Sequence, residues 1–347
     1  MRKVLVAILV LVALGLGTGI YFSQKKPGDL DKPADFDPKK PIELKFSAPE
    51  GVQFNYNVNI EKTTEIKGED GKMVNFGVSV DMIQSLLNTG PEDKGFNQFM
   101  MDLFKDIKLK TARRGDAPLE PEVTRRQLDA ERTNFSRSVY VYNTAKMLPN
   151  GLPVETPEVQ DESRLVSMML VYMQYFPGKM HTIGETWTSE REMGKFKVAY
   201  EHTLEDVVWF KDKLCARIEG TVKVLTPLEK VEIKPTVFKL WMGVEDSIIY
   251  GSEIHHDYRT PTAEGGWARI TMKLTKDLEA TVQLPEGELS QIRVLAPKMI
   301  EKERELRNDK RERSKDPENR AFFGECRNRL TGNWYMEGSK FFFEVLQ

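Results

Sequence analysis

The sequence predicts an α+β protein: an antiparallel β-sheet with two apolar helices packed on it, carried behind an N-terminal transmembrane helix. Three observations predict it. Apolar residues alternate strictly with polar ones in long runs, the mark of strands with one dry face and one wet face. Two further runs change to helical spacing, and a charge-free apolar stretch opens the chain.

That opening stretch runs from Val4 to Phe22, with Arg2 and Lys3 before it and Lys25 and Lys26 behind it. As a helix it measures roughly 28 Å at about 1.5 Å per residue, close to the ~30 Å of a hydrocarbon core. A cleaved signal would have a shorter apolar core followed by a small-x-small site. Here the candidate sites around Gly15 to Gly19 lie inside the run, so residues 1–26 are expected to stay as a signal-anchor, with secretion the outcome if they are cleaved. Lipidation needs a cysteine just after the run, and the two cysteines are Cys215 and Cys326. A short N-terminal tail stays inside, which places the rest outside the cytoplasm, periplasmic or at the cell surface. Residues 27–49, rich in Pro, Asp and Lys, read as an extended linker.

More than 300 residues follow the anchor, enough for a real core. Charged residues are 30% of the chain and nearly cancel, at a net −2, so nothing points to a nucleic-acid partner. A Cys215–Cys326 disulfide is open to an oxidising compartment; the alternative is a buried thiol at Cys215.

Residues 50–290 form the expected β-rich domain. Val52, Phe54, Tyr56, Val58 and Ile60 alternate with polar residues, and Val74 to Met82 repeat the pattern beyond Gly68-Glu69-Asp70-Gly71, a hairpin turn. Ser138 to Thr144 is a further strand, after a charged, Pro-interrupted loop over Arg113 to Glu131. A meander then begins near Trp187. Its turns are Lys211-Asp212-Lys213, Gly243 to Asp246 and Lys276-Asp277, the last joining Ala268–Leu274 to Leu278–Leu284.

The two helices are expected near 95–108 and 161–176. In the first, Phe96, Phe99, Met100, Leu103, Phe104 and Ile107 fall at steps of three and four on one face. In the second, nearly every residue from Leu165 to Phe176 is apolar, Met169 and Met173 among them, a core helix too short to span a membrane. Residues 291–347 should hold a solvated charged helix over Ala296–Arg320 and a terminal β-hairpin around Gly338-Ser339.

No local motif for chemistry is present. The sequence lacks a Gly-x-Ser-x-Gly elbow, a phosphate-cradling loop and a zinc-protease helix, and no cofactor is expected. His255 and His256 are adjacent on a strand and point to opposite faces, so they cannot chelate together; no metal is expected there, and His256 reads as a lone buried histidine.

The order of elements, with the segment Gly178-Lys179-Met180-His181-Thr182-Ile183-Gly184-Glu185-Thr186-Trp187, resembles bacterial exported half-barrel proteins of the lipoprotein-carrier type and related envelope proteins. The resemblance implies a curved, half-barrel-like sheet enclosing an apolar cavity. A membrane-tethered protein binding an apolar ligand or lipid is then expected, with Phe96, Phe99, Met100, Leu103, Phe104, Met169 and Met173 as the ligand wall. The rival is a structural or assembly module of the cell envelope, with a closed core and an envelope protein as its partner. An enzyme with a dispersed site is the third reading.

Overall fold

A computed structural model of the chain describes residues 37–148 and 178–294, apart from gaps at 38, 69–70, 93–94, 138–142 and 263–265, with Val159, Glu162, Leu165, Phe176 and Lys298 besides. The apolar run 4–22 lies outside the described residues, as do the terminal hairpin and most of the charged helix. Among the described residues no helix is long and apolar enough to cross a membrane.

The fold is mostly antiparallel sheet. A short strand, β1 (Ile42–Leu44), comes first, so the expected linker is not spacer throughout. The expected hairpin follows as β2 (Val52–Lys67) and β3 (Met73–Glu92). It closes through Gly68, whose N–H donates to Lys72 O at 2.8 Å, and through the positive φ of Gly71. Next come β4 (Gly95–Arg114), β5 (Ala117–Pro118), helix α1 (Pro121–Arg137), β6 (Asn143–Met147) and β7 (Lys179–His181). The meander is β8 (Thr186–Met193), β9 (Phe196–Phe210), β10 (Lys213–Val224), β11 (Glu232–Ile233), β12 (Thr236–Gly243), β13 (Ile249–Pro261) and β14 (Trp267–Gln283). A helix over 286–294 ends the described chain, apart from Lys298.

The main sheet runs β5-β4-β3-β2-β14-β13-β12-β10-β9-β8, and β1 pairs β7 in a separate two-stranded piece. It is open, with β8 at one edge and β4, carrying β5 and β6, at the other. One row crosses nine strands by direct pairing: Trp187, His202, Gly220, Phe238, Ile254, Leu274, Ile60, Val80 and Ile107. Residues opposite one another share a face, so this row marks one continuous, largely apolar side. The other side carries cross-strand ion pairs, among them Lys273 to Glu253, Arg269 to Asp257, Lys239 to Glu219 and Lys110 to Glu61.

Three expectations are corrected. The first apolar helix, near 95–108, is the strand β4, paired with β3 along its length. Bulges in that ladder fall between Phe104 and Asp106 and between Leu109 and Thr111, on the β4 side. Each inserts a residue, so the apolar positions step by three from Phe104 to Ile107 and from Leu109 to Ala112, imitating helical spacing. The loop over Arg113–Glu131 instead contains most of α1, where Pro121 opens the helix without losing a bond and Glu122 complements the dipole. Finally, Lys276-Asp277 is no turn: β14 runs through it, with a bulge between Leu278 and Ala280.

The helix expected over 161–176 falls largely outside the described residues. Its Glu162 and Leu165 are helical, and Leu165 and Phe176 are fully buried in the core against β8–β13.

Candidate functional site

The apolar face carries two buried clusters. One centres on β2, β3 and β4, with Phe54, Tyr56, Val58, Phe76, Val78, Val80, Met82 and Ile107. The other spreads over β8–β13 and is covered by Ile42 and Leu44 of β1 together with Val159, Leu165 and Phe176. Between them stand the two central strands, β14 and β2. On the apolar face, β14 has Ile270, Met272 and Leu274 only half-buried, and β2, beyond its buried Phe54, Tyr56 and Val58, has Ile60 half-buried. In a closed sandwich the central strands would be the driest. Here a half-buried strip runs between the two dry regions, bridged at Leu274, which packs against both clusters.

Helix α1 reaches the strip beside Met272, whose partner on β2 is Lys62. Leu128 packs against the β2–β4 cluster, and Glu131 holds Lys62, a half-buried residue of β2 on the apolar face, at 2.7 Å. Next to Leu274 on the same face stands Lys276, 7% exposed, paired across the ladders with Ser252 and Val58. Its ammonium donates to Gln84 Oε1 at 2.6 Å and lies 3.9 Å from the Tyr56 ring centroid. Gln84 donates in turn from Nε2 to Asp102 Oδ1 at 2.9 Å. Burial pushes Lys276 down from 10.5 to about 8, and Asp102 and Tyr56 upward. Each shift disfavours the charged form in a water-poor place.

The expected ligand wall is divided. Register places Met100 and Phe104 opposite Leu86 and Met82, on the side of the strip, and Phe104 packs at the margin of the β2–β4 cluster. Phe99 pairs with Leu87 and so belongs to the opposite side of the strand, and Leu103 pairs with Ile83. Phe99 is fully buried there, while Phe96 stacks on Phe46 with centroids 6.1 Å apart. Met169 and Met173 lie outside the described residues. Sequence reasoning passed over the central strip and Lys276, although Ile270, Met272 and Leu274 alternate legibly. The lysine beside Asp277 resembled turn chemistry.

The histidines are separate. His202 stacks on Trp187 and meets Phe238 edge-on, with centroids 5.2 Å and 5.1 Å away. His256 is buried, with its Nδ1 2.5 Å from the Thr236 hydroxyl, while His255 is exposed beside Glu253. Among the described residues no cluster of His, Cys, Asp or Glu could hold a metal. The Cys215 thiol is free and buried, pushed up to about 12 by burial, and Cys326 lies outside the described residues.

The segment 178–187 proves to be a turn of defined chemistry. Gly184 takes a positive φ of 88°, and the Glu185 carboxylate accepts from Thr182 N–H at 3.0 Å and faces His181 at 3.1 Å. Trp187 then stacks between His181 and His202. On the ionic face an 820 Å³ cleft opens beside Trp267. Its Asp257 is already bonded by Arg269 and Lys234, which hold its carboxyl down at about 2.

No family model and no curated protein matches the chain. Among solved structures, one of lipovitellin, concerned with lipid–protein interactions, aligns over 69% of this chain and 26% of its own, at 10% identity and a TM-score of 0.43. This chain thus spans about a quarter of that one. A Bacteroides fragilis protein with a YmcC-like fold, named as a candidate exported protein, aligns over 69% of this chain and 99% of its own, at 10% identity and a TM-score of 0.21. At such identity and superposition, neither neighbour's biology transfers.

Proposed function

We propose that this chain is a membrane-tethered, extracytoplasmic protein that binds an apolar ligand, a lipid, in a half-barrel-like groove between the two clusters of its sheet. The observation that carries the reading is the half-buried strip of Ile60, Ile270, Met272 and Leu274 on the two central strands. Apolar surface left at the middle of a sheet, between fully dry regions, is stabilised by whatever apolar matter fills it, at about 25 cal/mol per Å² covered. The uncharged run 4–22 supports the tether, and Met100 and Phe104 stand on the groove side.

The test plugs the groove. Met272→Trp should abolish uptake of a fluorescent fatty acid by the full chain while leaving the melting temperature within a few degrees of wild type. Unchanged uptake by a folded variant, or no uptake by the wild type, would sink the reading. For the tether, the protein should stay with membranes after a carbonate wash.

A further inference from the structure

We infer that Lys276 is the head-group anchor of this groove, and that the ligand is a single-chain amphiphile with a carboxylate head, its chain lying along Leu274, Met272 and Ile270. The inference rests on the groove reading above and adds to it the ligand's class and orientation.

Two lysines of the central strands point to the apolar face, and they are treated differently. Lys62 has its counter-ion, Glu131, at 2.7 Å. Among the described residues no carboxylate comes within ion-pairing distance of Lys276. It is satisfied by neutral groups, the Gln84 amide oxygen and the Tyr56 ring. A buried cation is retained at a cost unless something compensates its charge. Asp102 is the nearby candidate, but Gln84 stands between the two: its oxygen faces the lysine and its Nε2 faces Asp102. The amide separates the two groups, so Asp102 acts on the ammonium through charge at a distance and not through a direct bond.

Position supports the same conclusion. Lys276 stands on the same strand face between Leu274 and the half-buried Leu278, so its ammonium lies at the Leu274 end of the run Leu274, Met272 and Ile270. Six residues separate Lys276 from Ile270, about 20 Å at roughly 3.3 Å per residue, the length of a long acyl chain. Leu274 is paired with Ile60 on β2, whereas Met272 and Ile270 are paired with Lys62 and Thr64, so beyond Leu274 the apolar strip is one strand wide, the width of a single chain. Ser252, directly opposite Lys276, brings a hydroxyl to the second carboxylate oxygen. One ammonium and one hydroxyl match the two oxygens of a carboxylate; a phosphate dianion would need further donors.

Native mass spectrometry of the full chain, released from detergent after incubation with oleate or oleamide, tests this. The two probes share a chain and differ in head charge. Wild type should retain oleate at least ten-fold better than oleamide, and Lys276→Met should lower oleate to the oleamide level without changing oleamide. Equal retention of both by wild type overturns the anchor and leaves the groove. Retention of neither overturns both. A preference for oleate that survives in Lys276→Met also overturns the anchor. The wild-type comparison decides the matter even if that variant fails to fold.

Discussion

At Lys276 the same burial that suits a ligand sets a pH dependence. Its pKa falls from 10.5 to about 8 on folding, so between those values the unfolded chain holds more protons than the folded one, and stability rises with pH. Below pH 8 the buried charge exacts its full cost, on the order of 3 kcal/mol. Lys276→Met removes that cost. Relative to wild type, the variant should therefore be favoured most at pH 7, with the advantage shrinking toward pH 10.5. Urea melts at pH 7 and pH 10 read the difference, and a gap that does not change with pH would contradict it. His256 works at the acid end, since burial lowers it from 6.5 to about 4. Stability should then fall as pH drops from 6.5 through 4, and His256→Asn, which keeps a hydrogen-bonding partner for Thr236, should flatten that limb of a thermal-melt profile. Residues of this kind are poorly legible in a sequence. His256 could be read as buried because its neighbours on the strand face, Ile254 and Tyr258, are apolar; Lys276 could not, because lysine beside aspartate marks exposed turns far more often than a sheet interior.

At the scale of elements, β4 shows where periodicity misleads. A strand that bulges twice acquires helical steps, and the pattern then decides between helix and strand only with knowledge of its partner. β3 supplied that partner, and its run on to Glu92 passes through Gly90-Pro91, a pair that reads as a turn and hides the length of the strand. The split of the aromatic residues gives the third prediction. Phe99→Ala empties a fully buried site and should cost about 3 to 5 kcal/mol with ligand uptake intact. Phe104→Ala, at the half-buried groove margin, should cost clearly less and weaken uptake. Equal destabilisation in chemical denaturation, with equal uptake, would remove Phe104 from the groove wall. Glycine bears on the neighbouring cluster. A Cβ at Gly220 would lie 2.3 Å from Phe238 Cζ and 2.2 Å from Glu201 O, so Gly220→Ala must push back both the ring and a paired strand. A loss of 1 to 3 kcal/mol, the ordinary range for overpacking, is expected at about that size.

For the whole molecule, the antiparallel meander and the β2–β3 hairpin were legible because each rests on neighbours in sequence: alternating runs joined by turns such as Lys211-Asp212, both at positive φ. The closure of these pieces into one sheet was not. It depends on β14, which pairs with β13 on one side and reaches back to β2 on the other; Asn57 meets Glu279 across 222 positions. Alternation records which face of a strand is dry and says nothing of which distant strand lies beside it. The groove was illegible for the same reason, since its floor is shared by β2 and β14.

The place of β14 in the middle of the sheet gives the molecule an order of assembly. Among the described residues it is the last strand of the sheet to be synthesised, and the one that joins β2–β4 to the meander. Until it arrives, each half presents a long, unpaired edge beside apolar surface, β2 on one and β13 on the other, which is the condition for edge-to-edge aggregation. A chain ending at residue 265 should therefore accumulate as insoluble material, whereas one lacking only the residues after 298 should fold. Because residues 266–347 carry β14, this segment co-expressed as a separate polypeptide should restore soluble protein by taking the vacant place between the two edges. Soluble, monomeric protein from the 1–265 chain alone would show that the halves do not wait for their joining strand.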